Sequence, residues 1–222
     1  MRKSLTAACG RINPSASRAT GSLLGRDTWA RLVATTQPAD AAGRYKTVTK
    51  TFSNTAPITI PDTGNVQPPY AATPYPSEIS VGGLRRGTIR DANLTLKGFS
   101  HTYPVDVDVM LSHRGVNRTV MSDVGGGDFT DNITLTLDDE AASPLPDDTQ
   151  LTGGTFKPTN VDDRGGDGFL PPAPASSGLE LSGFDGKNPN GPWQLWVVDD
   201  GPNDGGQFGG GWKLTIKARV LR

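Results

Sequence analysis

The sequence has few of the residues that build disulfides, membrane spans and histidine-based catalytic sites. Its 222 residues include one cysteine, Cys9, so no intramolecular disulfide can form. No window approaches the roughly 18 consecutive apolar residues of a transmembrane helix, so we expect no membrane span. There are two histidines, and no serine lies in the sharp strand-to-helix turn that presents a hydrolase nucleophile. These absences predict that the chain is not an enzyme.

Glutamate is also scarce. Three of the 23 acidic residues are glutamate and the other 20 are aspartate. A solvated surface would normally contain more glutamate. Short carboxylates on loops instead suit turn capping and hard-cation binding, because a short arm holds its oxygens near backbone carbonyls. The acids are concentrated between Asp123 and Asp204, where 16 acids accompany three bases. The composition therefore favours a structural calcium ion as the cofactor.

Residues 1–46 differ from the rest of the chain in charge. They contain eight basic and two acidic residues, a net charge of +6, which leaves −7 for the remainder. Four interpretations fit this segment: a disordered leader or linker, an arm that docks on a neighbouring subunit, an organelle transit peptide, or a secretory signal. The last lacks the apolar stretch of about 7–15 residues that such signals contain. The negative remainder shows no basic and aromatic surface, so we expect no nucleic-acid partner.

Short apolar runs separated by turn residues dominate residues 47–222. The chain has 28 glycines and 18 prolines, which is typical of many short strands joined by turns. Leucine alternates with polar residues over 93–97, the period of a strand with one buried face. No amphipathic helix separates the runs, so we predict an all-β antiparallel sandwich or jelly roll. The predicted strands are Val48–Phe52, Ile58–Ile60, Ile79–Leu84, Thr88–Phe99, Val105–Leu111, Arg118–Met121, Ile133–Leu137, Leu179–Leu181, Trp193–Val198 and Trp212–Val220.

The segment Asp138–Pro172 is long and polar, with turn signals inside it. A structureless loop of that length is unusual in a compact domain. We therefore expect something to hold this segment in place, a cation for instance.

Three ordered motifs resemble the P domain, or Homo B domain, which follows the protease domain in subtilisin-like proprotein convertases. The first is Gly98–Ser112, a His-Thr pair followed by a short turn, an aspartate and an alternating apolar strand. The second is Gly191–Asp200, similar to Gly-Thr-Trp-x-Leu-x-Val-x-Asp with proline in place of the threonine. The third combines Gly205–Gln207 with Gly211–Ile216 and is similar to the closing strand. The resemblance covers roughly residues 50–220.

The resemblance implies a non-catalytic module, here a stand-alone variant of the bacterial type. In the convertase family the P domain packs against the protease domain and supports its folding, stability and calcium dependence. This sequence contains no protease domain, so we expect a module for protein association or assembly. The alternatives are an accessory domain that stabilises a subtilisin-like serine protease, and a carbohydrate-binding sandwich by analogy of fold. The family implies an extracellular or cell-surface location, and the basic leader offers organelle import as the alternative.

The aspartate pairs are the candidate calcium ligands, since calcium binds carboxylate and carbonyl oxygens. Asp106 and Asp108 are expected on one strand face, about 7 Å apart, where their charges repel unless a cation lies between them. Asp199 and Asp200 follow the strand Trp193–Val198. The pairs at 138–139 and 162–163 are further possibilities. The predicted metal ligands are Asp106, Asp108, Asp123, Asp128, Asp199 and Asp200.

The histidines and tryptophans carry weaker signals. We expect His101, at the entry to a strand, to be a hydrogen-bonded structural residue, and His113 to be a solvated turn residue. Trp193 and Trp196 are three residues apart in a predicted strand, so their side chains point to opposite faces. We therefore predict that Trp193 and Trp212 pack in the core, and that Trp196 is more exposed and contributes to a partner surface.

Overall fold

The computed structural model describes residues 43–64, 67–161 and 168–222. Within them the chain forms two β-sheets, which confirms the predicted all-β sandwich. Two 3-10 helices, Pro104–Asp106 and Leu181–Phe184, are the helical elements of this part of the chain. The strands are β1 Tyr45–Asn54, β2 Ile58–Ile60, β3 Tyr70–Ala71, β4 Ser77–Val81, β5 Thr88–His101, β6 Val107–His113, β7 Val116–Ser122, β8 Thr130–Leu137, β9 Gly154–Phe156, β10 Thr159–Asn160, β11 Gly191–Asp199, β12 Gly206–Phe208 and β13 Trp212–Leu221.

The two sheets have different strand orders. The first sheet runs β1-β13-β5-β12-β2, with β8 also paired to β5 and β9 to β8. The second sheet runs β10-β7-β6-β11-β3, with β4 also paired to β11. Most neighbours are antiparallel, as predicted, but β8 with β9 and β7 with β10 are short parallel pairs. Both sheets are therefore mixed.

The core lies between the sheets and is filled by the alternating residues of the long strands. Leu94 and Leu96 of β5 are fully buried, as the alternation over 93–97 predicts. The inward side chains of β6 and β11 form the opposite wall of the same cluster. Trp193 and Trp212 are completely buried, which confirms the prediction that they are core residues.

The outer face of the second sheet is buried as well. Met110 and Trp196 lie on this face of neighbouring strands and are 0% and 4% exposed. The Tyr75 ring packs edge-on against the Trp196 indole, with centroids 4.9 Å apart. The Tyr75 hydroxyl donates a hydrogen bond to the Leu170 carbonyl at 2.9 Å. Two proline-rich segments, 67–76 and 168–174, thus cover a face that strand alternation alone would leave to solvent.

The long segment 138–172 is held by protein contacts in its described part. Its strands β9 and β10 pair with β8 and β7, and Leu145 and Leu151 are buried in the core. A backbone hydrogen bond from Gly125 to Pro146 adds a further anchor. These contacts hold the described part of the segment, and a cation in this segment stays a prediction. Residues 162–167 lie outside the described residues.

The predicted strand Leu179–Leu181 is wrong. The chain there enters the 3-10 helix Leu181–Phe184. Asp139 accepts hydrogen bonds from the backbone N–H groups of Leu181 and Ser182 at 3.0 and 2.7 Å, which satisfies two donors at the start of that helix. The apolar run therefore belongs to a capped turn.

The boundary predicted at residues 46–47 lies inside β1, which begins at Tyr45. Residues 1–42, including Cys9, lie outside the described residues, and the interpretation of the leader stays a prediction. Among the described residues, no helix has the length and apolar character needed to cross a membrane.

A buried hydrogen bond between two side chains joins the two sheets. Trp212 of β13 donates its indole N–H to the Ser77 hydroxyl of β4 at 2.9 Å. Removing that hydroxyl with Ser77→Ala leaves a buried donor without a partner, so we expect a loss of about 1–3 kcal/mol of unfolding free energy. Urea denaturation measures this loss. Ser80→Ala is the matched control, because Ser80 is an exposed residue of the same strand. Equal stability of the two variants would contradict the prediction.

Candidate metal site

Five aspartates gather at one end of the sandwich, around the side chain of His101. We call this set, Asp62, Asp106, Asp199, Asp200 and Asp204, the acidic cluster. It forms where β5 and β11 end and where the loops before β3 and β12 return to them. Pairing of β12 with β5 and with β2 brings these loops together.

His101 is the buried centre of this region. Its Nδ1 accepts a hydrogen bond from the Tyr103 backbone N–H at 3.2 Å. Its proton is therefore on Nε2, which lies 3.2 Å from Asp199 Oδ2 and donates to it. Both ring nitrogens have protein partners and the residue is 1% exposed. His101 is hydrogen-bonded, as the sequence predicted, and its purely structural role stays a prediction.

Asp199 connects the two sheets. It ends β11 of the second sheet, whereas His101 ends β5 of the first. Its Oδ2 accepts from His101, and its Oδ1 accepts from the Gly201 backbone N–H at 3.0 Å. The side chain is fully buried. Two donors compensate the burial of this carboxylate, and the pair fixes how the sheet ends meet.

Asp106 ends the first 3-10 helix and lies against the loop after β11. Its carbonyl accepts from the Asp200 N–H at 2.9 Å. A side chain at position 201 would collide with the Asp106 carboxyl group, so glycine is required there. Burial, followed by repulsion from Asp204, Asp199 and Asp200, raises the pKa of Asp106 to about 7.

Asp204 adds a further oxygen to the cluster. Burial, followed by the charge of Asp199, raises the pKa of Asp204, and Asp62 contributes in the same direction. Its Oδ1 is buried and has no hydrogen-bond partner among the residues that the structure describes. Asp62 Oδ1 accepts from the Gly64 N–H at 2.9 Å, which shapes the neighbouring loop.

The donors that remain for a metal ion are oxygens. Ligand atoms of His101, Asp199 and Asp204 lie within 4.8 Å of one another. The two imidazole nitrogens are already used, however, so the histidine can ligate only by giving up a hydrogen bond. An oxygen-only set suits calcium, whereas zinc sites favour nitrogen and sulfur ligands. The residues present therefore fit a hard divalent cation, of which calcium is one.

The six predicted metal ligands are divided between three places. Asp106, Asp199 and Asp200 belong to the acidic cluster. Asp108 and Asp123 lie together elsewhere, where Ser122 Oγ donates to Asp108 at 2.6 Å and also contacts Asp123 at 3.2 Å. Asp128 is exposed in the turn before β8 and joins neither group.

The prediction that Asp106 and Asp108 share a strand face is wrong. Asp106 is the last residue of a 3-10 helix, and β6 begins only at Val107. The helical turn rotates the Asp106 side chain away from the strand register, so the two carboxylates serve different surroundings. Asp138 and Asp139 are occupied by turn and helix capping, and Asp162 and Asp163 lie outside the described residues.

Two members of the acidic cluster, Asp62 and Asp204, are absent from the predicted ligands. Each lies in a loop with turn residues, in the sequences Pro61–Gly64 and Asn203–Gly205. Such loops are common capping positions, so the local sequence gives no sign of a metal site. Only the pairing of β2 with β12 brings them to His101.

Trp196 is more buried than the sequence suggested. The expectation of an exposed indole is wrong, because Tyr75 and the proline-rich segments cover it. Its N–H donates to the Ser112 hydroxyl at 3.1 Å. Among the described residues, the exposed large apolar side chains are Tyr103 and Phe129, at 46% and 53%. A partner surface at Trp196 stays a prediction.

No protein family model, curated protein or solved structure matches this chain. The P-domain resemblance is therefore carried by the residues of this sequence alone.

The His101–Asp199 hydrogen bond has a predicted effect on stability. Asp199→Asn preserves the shape of the side chain but removes the charge and turns one acceptor into a donor facing an N–H group. Because hydrogen bonds to charged groups contribute about 1.5–3 kcal/mol, we expect a loss of about that size in unfolding free energy. Chemical denaturation measures it, with Asp128→Asn as the exposed control. Equal stability of both variants would rule out this role for Asp199.

Protonation of Asp106 predicts a pH dependence in the metal-free chain. The folded-state pKa of about 7 lies above the value of about 3.9 for an unfolded chain, so the folded state binds the proton more tightly. The unfolding free energy should therefore fall as pH rises between these two values and stay low above them. Denaturation in EGTA across this range measures the slope, and Asp106→Asn should reduce it. An unchanged slope in that variant contradicts the assignment.

Proposed function

We propose that this chain is a non-catalytic, P-domain-like module for protein association, stabilised by a calcium ion at the acidic cluster. The observation that carries the proposal is the convergence of buried and half-buried carboxylates around one pair, His101 and Asp199. No lysine or arginine of the described residues forms an ion pair with Asp62, Asp106 or Asp204. Like charges held this close repel, and a divalent cation would convert that repulsion into attraction.

The cluster also links two of the motifs that carry the P-domain resemblance. His101 comes from the motif Gly98–Ser112, and Asp199 comes from the motif Gly191–Asp200. Their side chains meet in a buried hydrogen bond, so the two motifs together support a structural role. This arrangement favours the module over an enzyme, because the imidazole is enclosed and both its nitrogens are occupied.

Calcium would be held by carboxylate oxygens of Asp106, Asp199 and Asp204, with Asp62 and Asp200 at the periphery. Its role would be to neutralise the cluster and to tie the loop after β11 to the 3-10 helix before β6. The loop follows β11 of the second sheet, and the 3-10 helix follows β5 of the first sheet. The ion would therefore act at the same junction as the His101–Asp199 pair. The predicted effect is on stability.

The accessory-domain alternative shares the same fold and cation. It predicts that a subtilisin-like protease domain raises the melting temperature of this chain, and an unchanged melting temperature would count against it. The carbohydrate-binding alternative rests on the analogy of fold and on exposed aromatic side chains. Trp193, Trp196 and Trp212 are buried, so they give it no support.

Calcium should raise the melting temperature of the chain. A ligand at one hundred times its dissociation constant adds about 2.7 kcal/mol to stability, which corresponds to about 5–10 °C for a domain of this size. Differential scanning calorimetry in EGTA and in millimolar calcium measures the shift. Asp204→Asn should reduce it strongly, since the substitution removes one charge and one oxygen ligand, while Asp128→Asn should retain it.

A shift below experimental error in the unmodified chain would refute the calcium site. Magnesium provides a chemical control, because it requires a smaller octahedral site and releases its water reluctantly. A magnesium effect equal to that of calcium would indicate general charge screening and would also overturn the proposal.

A further inference from the structure

A groove on the outer face of the second sheet shares no residue with the acidic cluster. Its volume is about 530 Å³, within the range of about 300–1,000 Å³ that is typical of ligand sites. The walls are apolar and include Pro76, Pro172, Pro174 and Trp196. At one end it is bounded by the hairpin turn between β6 and β7, which carries His113 and Arg114.

His113 is buried, although the sequence suggested a solvated turn residue. It is 2% exposed. Its Nδ1 lies 2.8 Å from the Pro192 carbonyl oxygen, and its Nε2 lies 2.8 Å from the Asn188 carbonyl oxygen. These two contacts fix the orientation of the imidazole ring at this end of the groove.

The His113 ring lies flat on the indole of Trp193. The two ring centroids are 4.1 Å apart and the planes differ by 3°. This stacking and the two carbonyl contacts hold the hairpin turn against β11, so the turn carries Arg114 at a fixed position.

Arg114 places a positive charge at the same turn. Its Nε and Nη2 donate to the Asn190 carbonyl at 3.3 and 2.9 Å, which fixes the plane of the guanidinium group. Three of its five N–H groups remain for other acceptors. Among the described residues neither Arg114 nor His113 forms an ion pair with a carboxylate. Glu78 is the nearest acid by strand register, opposite Gln194 on β4.

Neutral hydrogen-bonding groups line the floor of the groove between Arg114 and the prolines. Gln194, Ser112 and Asn117 stand side by side across β11, β6 and β7. The Ser112 hydroxyl accepts from Trp196 and keeps its own proton to donate. The Gln194 side-chain amide has no hydrogen-bond partner in the described part of the chain. Such a row can pair with the N–H and C=O groups of an extended backbone.

We propose that this groove binds the C-terminal end of a peptide, with the terminal carboxylate on Arg114. The charge argues for this ligand, because Arg114 has no carboxylate partner among the described residues and keeps three N–H groups for one. A fixed guanidinium is suited to a carboxylate, which accepts two parallel hydrogen bonds from it. The amide and hydroxyl row would bind the peptide backbone, and the prolines with Trp196 would contact an apolar side chain.

The test compares two libraries of acetylated tetrapeptides, identical except that one ends in a free carboxylate and the other in an amide. Each is titrated into the full chain at low salt, and the Trp196 indole and Gln194 amide signals are followed by NMR. We expect shifts with the free acids and none with the amides. Equal responses to both libraries, or no response to either, would overturn the proposal.

Two further measurements show whether a peptide or a simple carboxylate binds, and whether Arg114 binds it. Acetate alone should bind at least tenfold more weakly than the peptides, and equal affinity would overturn the peptide assignment. Arg114→Ala should weaken peptide binding at least tenfold. Arg90→Ala, an exposed arginine of β5, is the matched control and should bind like the unmodified chain. Equal binding by the two variants contradicts the role of Arg114.

Discussion

The buried hydrogen bond between His101 and Asp199 is the interaction on which the arrangement of this molecule depends. It joins the last residue of β5 in one sheet to the last residue of β11 in the other. Because the tautomer of the ring is fixed by a backbone N–H, the carboxylate is held in one orientation. The loops that follow both strands then have little freedom, and the other aspartates meet around this pair. A structural pair thus creates the concentration of negative charge that a cation can use.

Charge is distributed unevenly over the second sheet. One end carries the acidic cluster, while the hairpin between β6 and β7 carries Arg114. The strand β11 runs between the two regions, from Gly191 beside His113 to Asp199 beside His101. The two proposed sites would take ligands of opposite charge. In this proposal the cation stabilises the fold and the groove selects the partner.

The alternation of apolar and polar residues predicted the strands, but it did not predict the segments that cover the outer face of the second sheet. The alternation of Leu94 and Leu96 fixed a buried face correctly, and Asp199 was identified because it follows an apolar strand. A period of two cannot show that a second face is covered, so the burial of Trp196 was missed. His113 was misread for a related reason, since its carbonyl partners lie more than 70 residues away in the sequence. Asp62 and Asp204 reach the cluster only through the pairing of β2 with β12, which no local signal specifies.

The proline-rich cover of the second sheet also bears on which parts of this sheet could pair with a further strand. Proline has no backbone N–H, so these segments shield Trp196 and Met110 without presenting a new row of donors. The end strands β10 and β3 of that sheet are two residues long, whereas β4, which also pairs with β11, has five residues. By contrast β1 is a ten-residue strand paired with β13 on one side, and it carries Lys46 and Lys50. Charged lysines on an edge oppose strand addition, so charge protects β1 and brevity protects β10 and β3.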